Sequence, residues 1–508
     1  MSNSGNPVAT PSLGRHMLHG SAWMIGVRWA VRLTGLVSTI VLARLLSPAD
    51  YGIVAMAMIV VSLLEVLSPS GQKLALIRLA DPDREHYDTV WTMSVIVGVV
   101  IGALILAIAP LTVFYFRDGR AIPVMQWLAL RSVIGGFENV GVLDFRRELR
   151  FDRVFVYNVA PKLVSFVATI AAAVWLRNYW ALVVGMLVFS FASTGLSFAM
   201  HSYRPRFSLA KLGELLSFSF WTLLRSVGWS LNFQVDQLVI GGFSGAAAMG
   251  RYSVASDLAS SPSREVNDPM VAVLYPVMAT VQHDKKRLRQ LYLRVLGWSV
   301  VICASTSVGV TVVAHDLVWA VLGPKWHDVE PLMGWLALSA GLLGLSSGAY
   351  TTFDALGRPD IGARMQWLRL LMLCVAIIPL GFAWHDLRLI AEGRLLVTLV
   401  FLPTLFLAVG YVIGVSWWDY CCTCWRPLAA SALMAASVLA LEAALGSHKP
   451  VEGLLLESAA GAIVFTASSL GLWVLSGRPH APERDVMEFV TARWRRAKAE
   501  KQPVLEST

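Results

Sequence analysis

The chain has 508 residues, 56% hydrophobic and 15% charged, with a mean hydropathy of +0.62 and a net charge of +9. Soluble proteins carry roughly 25% charged residues, so the composition excludes a soluble domain and describes an all-α polytopic membrane protein. The basic residues sit mostly in short connections between apolar runs, which is a topology signal rather than a nucleic-acid surface, and no nucleic-acid partner is expected.

Residues 1–16 are polar and read as a cytoplasmic tail. The first apolar run is too long for a signal-peptide core and lacks a small-residue cleavage site, so no cleavable leader is expected. A span needs about 20 apolar residues. Runs between charged or Pro/Gly breaks then give about fourteen transmembrane helices. They cover 17–44, 52–77, 89–116, 122–144, 152–176, 178–200, 215–241, 249–276, 289–313, 331–354, 361–383, 389–414, 427–445 and 453–475. The stretch 201–214, "SYRPRFSLAKLGE", reads as an amphipathic linker on the membrane surface. Residues 476–508 form a basic tail suited to an anionic inner leaflet.

With an even number of spans and both termini inside, the cytoplasmic connections and tails hold 26 Lys and Arg residues, and the opposite connections hold 8. That asymmetry fits the positive-inside rule and predicts a multi-pass membrane protein with both ends in the cytoplasm.

The five cysteines form no disulfide framework. Cys303 and Cys374 lie in apolar runs. Cys421, Cys422 and Cys424 cluster in "WWDYCCTCWRP", with no fourth ligand at finger-like spacing, and read as a reduced cytosolic loop rather than a metal site. There is no P-loop pattern, and no cofactor is expected.

Slid against itself by 198 positions, the chain aligns residues 21–57 with 219–255 without a gap and with eight identities, among them Ser21/Ser219, Trp23/Trp221 and Gly52/Gly250. The match covers a helix, the next loop and the start of another helix. It divides the chain into an N-lobe of six helices (17–200), a C-lobe of six helices (215–414) and two further helices within 427–475. An offset of six helices keeps span parity, so the lobes are expected to be parallel repeats flanking a central path.

A charge at mid-bilayer costs about 2.5–3.5 kcal/mol on insertion scales and marks a cavity or a partner. Arg28 and Arg32, four residues apart in "WMIGVRWAVRLTG", share a face of the first helix. The second helix carries Glu65 and the seventh carries Arg225 and Asp236. In the eighth, Asp257, Ser261, Arg264 and Asp268 recur at spacings of four, three and four, making one polar stripe interrupted by Pro262 and Pro269. Arg28, Arg32, Arg225 and Arg264 are the candidate cationic patch for an anionic, phosphate-bearing substrate. Glu65, Asp257, Glu265 and Asp268 are candidate coupling-ion acids, or counter-charges to the arginines. Arg131, Lys162, Arg369 and Arg394 are expected to pair between helices with Glu138, Asp354 or Glu392.

Several motifs carry a resemblance: "VLARLLSPADYGIVAMA", "ALIRLADPDREHYDTVWTMSVIVGVV", "FRRELRFDR", "YWALVVG", "DQLVIGGFSGAAAMGRYSVAS" and "DALGRPD". In this order and spacing, over roughly residues 18 to 475, the chain resembles the polysaccharide transporter branch of the multidrug/oligosaccharidyl-lipid/polysaccharide flippase superfamily. The resemblance implies a MATE-like fold of two six-helix lobes in a V plus two C-terminal helices. It also implies alternating-access flipping, without covalent chemistry, of an undecaprenyl-pyrophosphate-linked oligosaccharide for capsule, exopolysaccharide or O-antigen synthesis. Its implied partners are the lipid-linked anionic oligosaccharide, bilayer lipids, and a polysaccharide polymerase with export machinery. The four arginines are the positions that fit the family's cationic cavity. Three other readings compete. A drug or cation antiporter of the same fold would prefer an acidic cavity, and a peptidoglycan-precursor flippase fits the motifs less well. A membrane glycosyltransferase or polymerase would need a sizeable outer catalytic loop, and every outer connection here is short.

Overall fold

The computed structural model describes residues 30–68, 82–148, 150–215, 220–446 and 449–479, with isolated positions at 26, 76, 79, 482–485, 487–488 and 491. Among these residues every regular element is helical. Helix α1 covers 30–45. It is followed by α2 (Pro48–Glu65), α3 (Arg84–Ile108), α4 (Ala121–Gly136), α5 (Phe151–Leu176), α6 (Trp180–Met200) and α7 (Phe220–Phe243). Then come α8 (Gly245–Thr280), α9 (Lys285–Val312), α10 (Glu330–Gly344), α11 (Pro359–Ala383), α12 (Leu387–Ile413), α13 (Trp417–Leu445) and α14 (Pro450–Leu475), joined by short turns of helix.

Ten helical segments among the described residues are long and apolar enough to cross a membrane, which makes this a multi-pass membrane protein. The sequence expectation of about fourteen exceeds that number at α1, α4, α7 and α8. Residues 30–45 and the 16-residue α4 are short, and α7 and α8 carry the charged positions. The sequence carried the fourth helix to residue 144, but it stops at Gly136, after which Asn139 turns the chain by accepting a 2.9 Å hydrogen bond from Gly141 N–H.

Local chemistry explains the helix starts. Ser47 and Asp50 form a capping box at α2, with Pro48 at the first helical position, where a missing N–H costs nothing. Ser416 and Asp419 do the same for α13. Asp83, Asp284 and Asp386 cap α3, α9 and α12. Cys421, Cys422 and Cys424 lie in the first turns of α13, not in a loop, and all three are free.

The internal repeat survives at the level of single residues. Helix α1 ends at residue 45 and α2 begins at Pro48. At the repeat distance, α7 ends at Phe243 and α8 begins at Gly245. The second break uses Gly245 at φ +80°, a conformation that favours glycine, where the first uses a capping box.

The chain separates into two compact units, residues 1–220 with 245–250, and residues 221–244 with 251–508. In the first, Ile53, Ala57 and Val61 of α2, Ile101 and Ile105 of α3 and Met125 and Leu128 of α4 form an apolar core. Helices α3 and α4 approach closely at two glycines: a Cβ on Gly136 would lie 2.7 Å from the Ser94 carbonyl oxygen, and one on Gly98 would lie 2.9 Å from that of Ser132. In the second, Tyr292, Val295 and Val300 of α9 pack with Phe401, Leu405 and Val409 of α12 and Tyr420 of α13.

The linker after α6 is extended over 201–209 and ends in a short helix, Leu212–Leu215. It is fastened along α3. Tyr203 donates a 2.5 Å hydrogen bond to Asp88, which also accepts from Arg206 N–H at 2.9 Å. Ser208 N–H and Lys211 N–H donate to the hydroxyls of Thr92 and Thr89 at 3.0 and 3.3 Å. Burial, then the Asp88 carboxylate, pushes the Tyr203 hydroxyl well above its ordinary titration range.

Past α14, Pro479 and residues 482–485 pack on the second unit. Pro479 O accepts a 3.0 Å bond from the Trp473 indole. Asp485 is held by Arg294 Nε at 2.9 Å and by the Trp298 indole at 3.3 Å. Glu483 lies 3.8 Å from Arg426, both largely buried. The Arg294 hydrogen bond holds the Asp485 carboxyl below the usual carboxylate range.

Candidate functional site

The eighth helix sorts its polar residues by face. Ser260, Ser263 and Asn267 are buried, with Ser263 2.8 Å from the Thr306 hydroxyl and Asn267 donating to the Gly344 carbonyl at 3.0 Å. These contacts fix α8 against α9 and α10. The other face exposes Asp257, Arg264, Glu265 and Asp268, with Ser261 half-buried. The stripe read from spacing thus lies along one largely exposed face. Arg264 donates to Ser260 and lies over the Phe233 ring at 5.8 Å, so the guanidinium is steered by its own helix and by α7.

Arg225, on α7, is ion-paired with Asp354 of the short helix Ser347–Ala355. Asp354 was expected to serve another arginine. The side chains of this pair stay about a quarter exposed, at 24% and 27%. Arg225 and Arg264 belong to the second unit, and Arg32, half-buried on α1, belongs to the first. Arg28 lies outside the described residues.

Glu65 is the last residue of α2 and forms a 3.0 Å ion pair with Arg131 of α4. The sequence offered Glu65 as a coupling acid or a counter-charge to an arginine, and it expected Arg131 to pair with Glu138, Asp354 or Glu392. The two line a cavity of about 400 Å³ within the first unit, whose walls include Ser94, Ser132, Ser190, Ser193, Thr194 and Glu138. Glu138 accepts from the Tyr157 hydroxyl, which sits 3.2 Å from Ser193 Oγ, and it also borders a second cavity of about 240 Å³ with Asn139, Arg146 and Asn158. Spacing alone did not find this hydroxyl-rich chamber, because single serines on apolar helices carry no charge signal.

The remaining buried charges also choose partners other than those expected. Arg394 of α12 pairs with Asp236 of α7, Arg369 of α11 donates to Asn232 at 3.2 Å, and Glu392 pairs with Arg388 one turn away at 2.7 Å. No cluster of His, Cys, Asp or Glu able to hold a metal occurs among the described residues.

These features supply exposed charge on one helix face and polar cavity walls, with ion pairs that hold the helices in register.

Comparison with known proteins places the chain. It is 24% identical over 425 residues to the lipopolysaccharide biosynthesis protein WzxC of Escherichia coli, covering 82% of this chain and 85% of that protein. It is 25% identical over 442 residues to the succinoglycan biosynthesis transport protein ExoT of Rhizobium meliloti, covering 84% and 87%. Its fold is that of a lipid II flippase MurJ solved in an inward closed conformation, with a TM-score of 0.70 at 12% identity over 90% of this chain and 99% of that one. The family model described as polysaccharide biosynthesis protein matches residues 41–331, more than half of the sequence, and the chain belongs to that family.

Proposed function

We propose that this protein flips a lipid-linked oligosaccharide repeat unit, carried on undecaprenyl pyrophosphate, from the inner to the outer leaflet of the bacterial inner membrane. The observation that carries the reading is the union of family membership with the lipid II flippase fold over nine-tenths of the chain. A relative named as a transport protein in succinoglycan biosynthesis points the same way.

The substrate's pyrophosphate would meet Arg28, Arg32, Arg225 and Arg264. Arginine suits it through paired N–H donors that match phosphate oxygens. The exposed charged face of α8 supports the assignment, since such a face is costly against lipid and belongs beside water. Arg225 enters with Asp354 as its resting counter-charge, so substrate phosphate would compete with that carboxylate. Glu65, Asp257, Glu265 and Asp268 remain the acids proposed to bind a coupling proton or sodium ion, with Glu65 balanced by Arg131. Both termini and the basic tail face the cytoplasm in this reading. The sugar chain would pass to a polymerase and export machinery for capsule, exopolysaccharide or O-antigen.

The test is deletion in the native host, with mass spectrometry of polyprenyl-linked sugars and a leaflet assay using a periplasmic enzyme. Complete repeat units trapped inside, released by the wild-type gene and not by Arg28→Ala, support both activity and site. Full rescue by Arg28→Ala removes that residue from the site and leaves the activity standing. Accumulation of a peptidoglycan precursor instead reassigns the substrate. An incomplete sugar, or a complete unit already outside, moves the protein to an enzymatic step.

A further inference from the structure

Between α7, α11 and α12 the second unit buries two guanidiniums, Arg369 and Arg394, and one carboxylate, Asp236. Arg394 is paired with Asp236, and Tyr252 of α8 donates a 2.6 Å hydrogen bond to the same carboxylate oxygen. Those charges cancel. Arg369 is left over, and it is only 1% exposed. Its Nη1 donates to the neutral side chain of Asn232, while Nε and Nη2 have no hydrogen-bond partner. The Tyr350 hydroxyl, within electrostatic reach of Arg369, is also buried without a partner.

Asn232 cannot turn to help. Its amide nitrogen is committed to the carbonyl oxygens of Gly228 and Gln366 at 2.7 and 2.9 Å, which fixes its oxygen as a single acceptor. The groups without partners are therefore all donors, and they surround a net positive charge. A buried guanidinium with unmet N–H groups and no counter-charge is strongly unfavourable. Water would answer the donors and leave the charge. An anion answers both, because it only accepts. Burial this complete admits no lipid phosphate or sugar, so the anion must be small and readily stripped of water.

We propose that Arg369, assisted by Tyr350, binds a small monovalent inorganic anion of the halide class between α7, α11 and the short helix Ser347–Ala355. The site is separate from the cationic patch offered to the lipid-linked substrate and does not depend on that reading. Its role is to neutralise the Arg369 charge and lock α11 against α7.

The experiment uses the full chain in detergent. Chloride is exchanged for gluconate at constant ionic strength while the thermal unfolding midpoint is followed. The wild type should gain stability with chloride along a saturating curve. Arg369→Met should be flat, and Tyr350→Phe should need roughly tenfold more chloride, the worth of one hydrogen bond to an ion. Arg388→Gln, which alters only an exposed pair, should respond as the wild type does. Crystals soaked in bromide should show an anomalous peak beside Arg369 Nε and Nη2. A wild type indifferent to chloride, a Tyr350→Phe curve that overlays the wild type, or bromide absent from this position overturns the proposal. If Arg369→Met does not fold, the last two readouts decide. None requires transport, so failure here and failure of the flippase reading are distinguishable.

Discussion

Arg131 Nη1 lies 3.0 Å from Glu65 Oε1, tying the middle of α4 to the C-terminal residue of α2 at the wall of the larger cavity. Both side chains are about a third exposed or less, at 26% and 34%. Removing one partner leaves a charge that water in the cavity partly solvates. Glu65→Gln or Arg131→Gln is therefore expected to cost about 1–2 kcal/mol, below the roughly 3–5 kcal/mol of a fully buried pair. Thermal unfolding in detergent measures it, and the double variant should recover part of the loss.

The Asp236–Arg394 pair is the opposite case, since neither residue is more than 7% exposed. Asp236→Asn strands a buried guanidinium and is expected to cost about 3–5 kcal/mol. Tyr252→Phe removes only one hydrogen bond to the carboxylate and should cost about 1.5–3 kcal/mol. Membrane yield and melting temperature should rank the two in that order.

Gly136→Ala would place a methyl group 2.7 Å from the Ser94 carbonyl oxygen, where backbone, not a flexible side chain, must yield. Helices α3 and α4 would be pushed apart at a cost of about 1–3 kcal/mol. Gly135→Ala, one residue away with open space around its Cβ, is the matched control and should be close to neutral.

The packing of residues 482–485 should depend on pH through Asp485. Its carboxyl is held low by Arg294, so the unfolded state takes up the proton first as pH falls. The stabilisation is present above the ordinary aspartate range near 4 and is lost as pH drops through the lowered value. Limited proteolysis with an acid-active protease should show the segment opening only in that acidic window. At neutral pH, Asp485→Asn should speed tryptic cleavage at Arg484 several-fold.

Span lengths alone ended the seventh helix at 241 and began the eighth at 249, whereas the 198-residue offset carries the end of α1 at residue 45 to Phe243 and the start of α2 at Pro48 to within one residue of Gly245. The α8 stripe was legible because charges at spacings of four, three and four define one helix face without reference to any partner. Partner choice was not legible. Asp354 lies 129 positions from Arg225, and Asp236 lies 158 from Arg394. Several acids were in reach of each arginine by span parity, and only the packing of α7 against the short helix Ser347–Ala355 and α12 selected among them. The chamber around Glu65 and Arg131 was hidden for a related reason. Much of its wall is serine and glycine, which read as packing residues until their helices are brought together.

The paired helix breaks bear on what a corner requires. After Leu45 the chain turns through serine, proline and aspartate; after Phe243 it turns through a glycine in the left-handed region. One bend is thus written in two chemistries. A capping box and a left-handed glycine are interchangeable means to the same corner, and the polarity of the helices on either side is left free to differ.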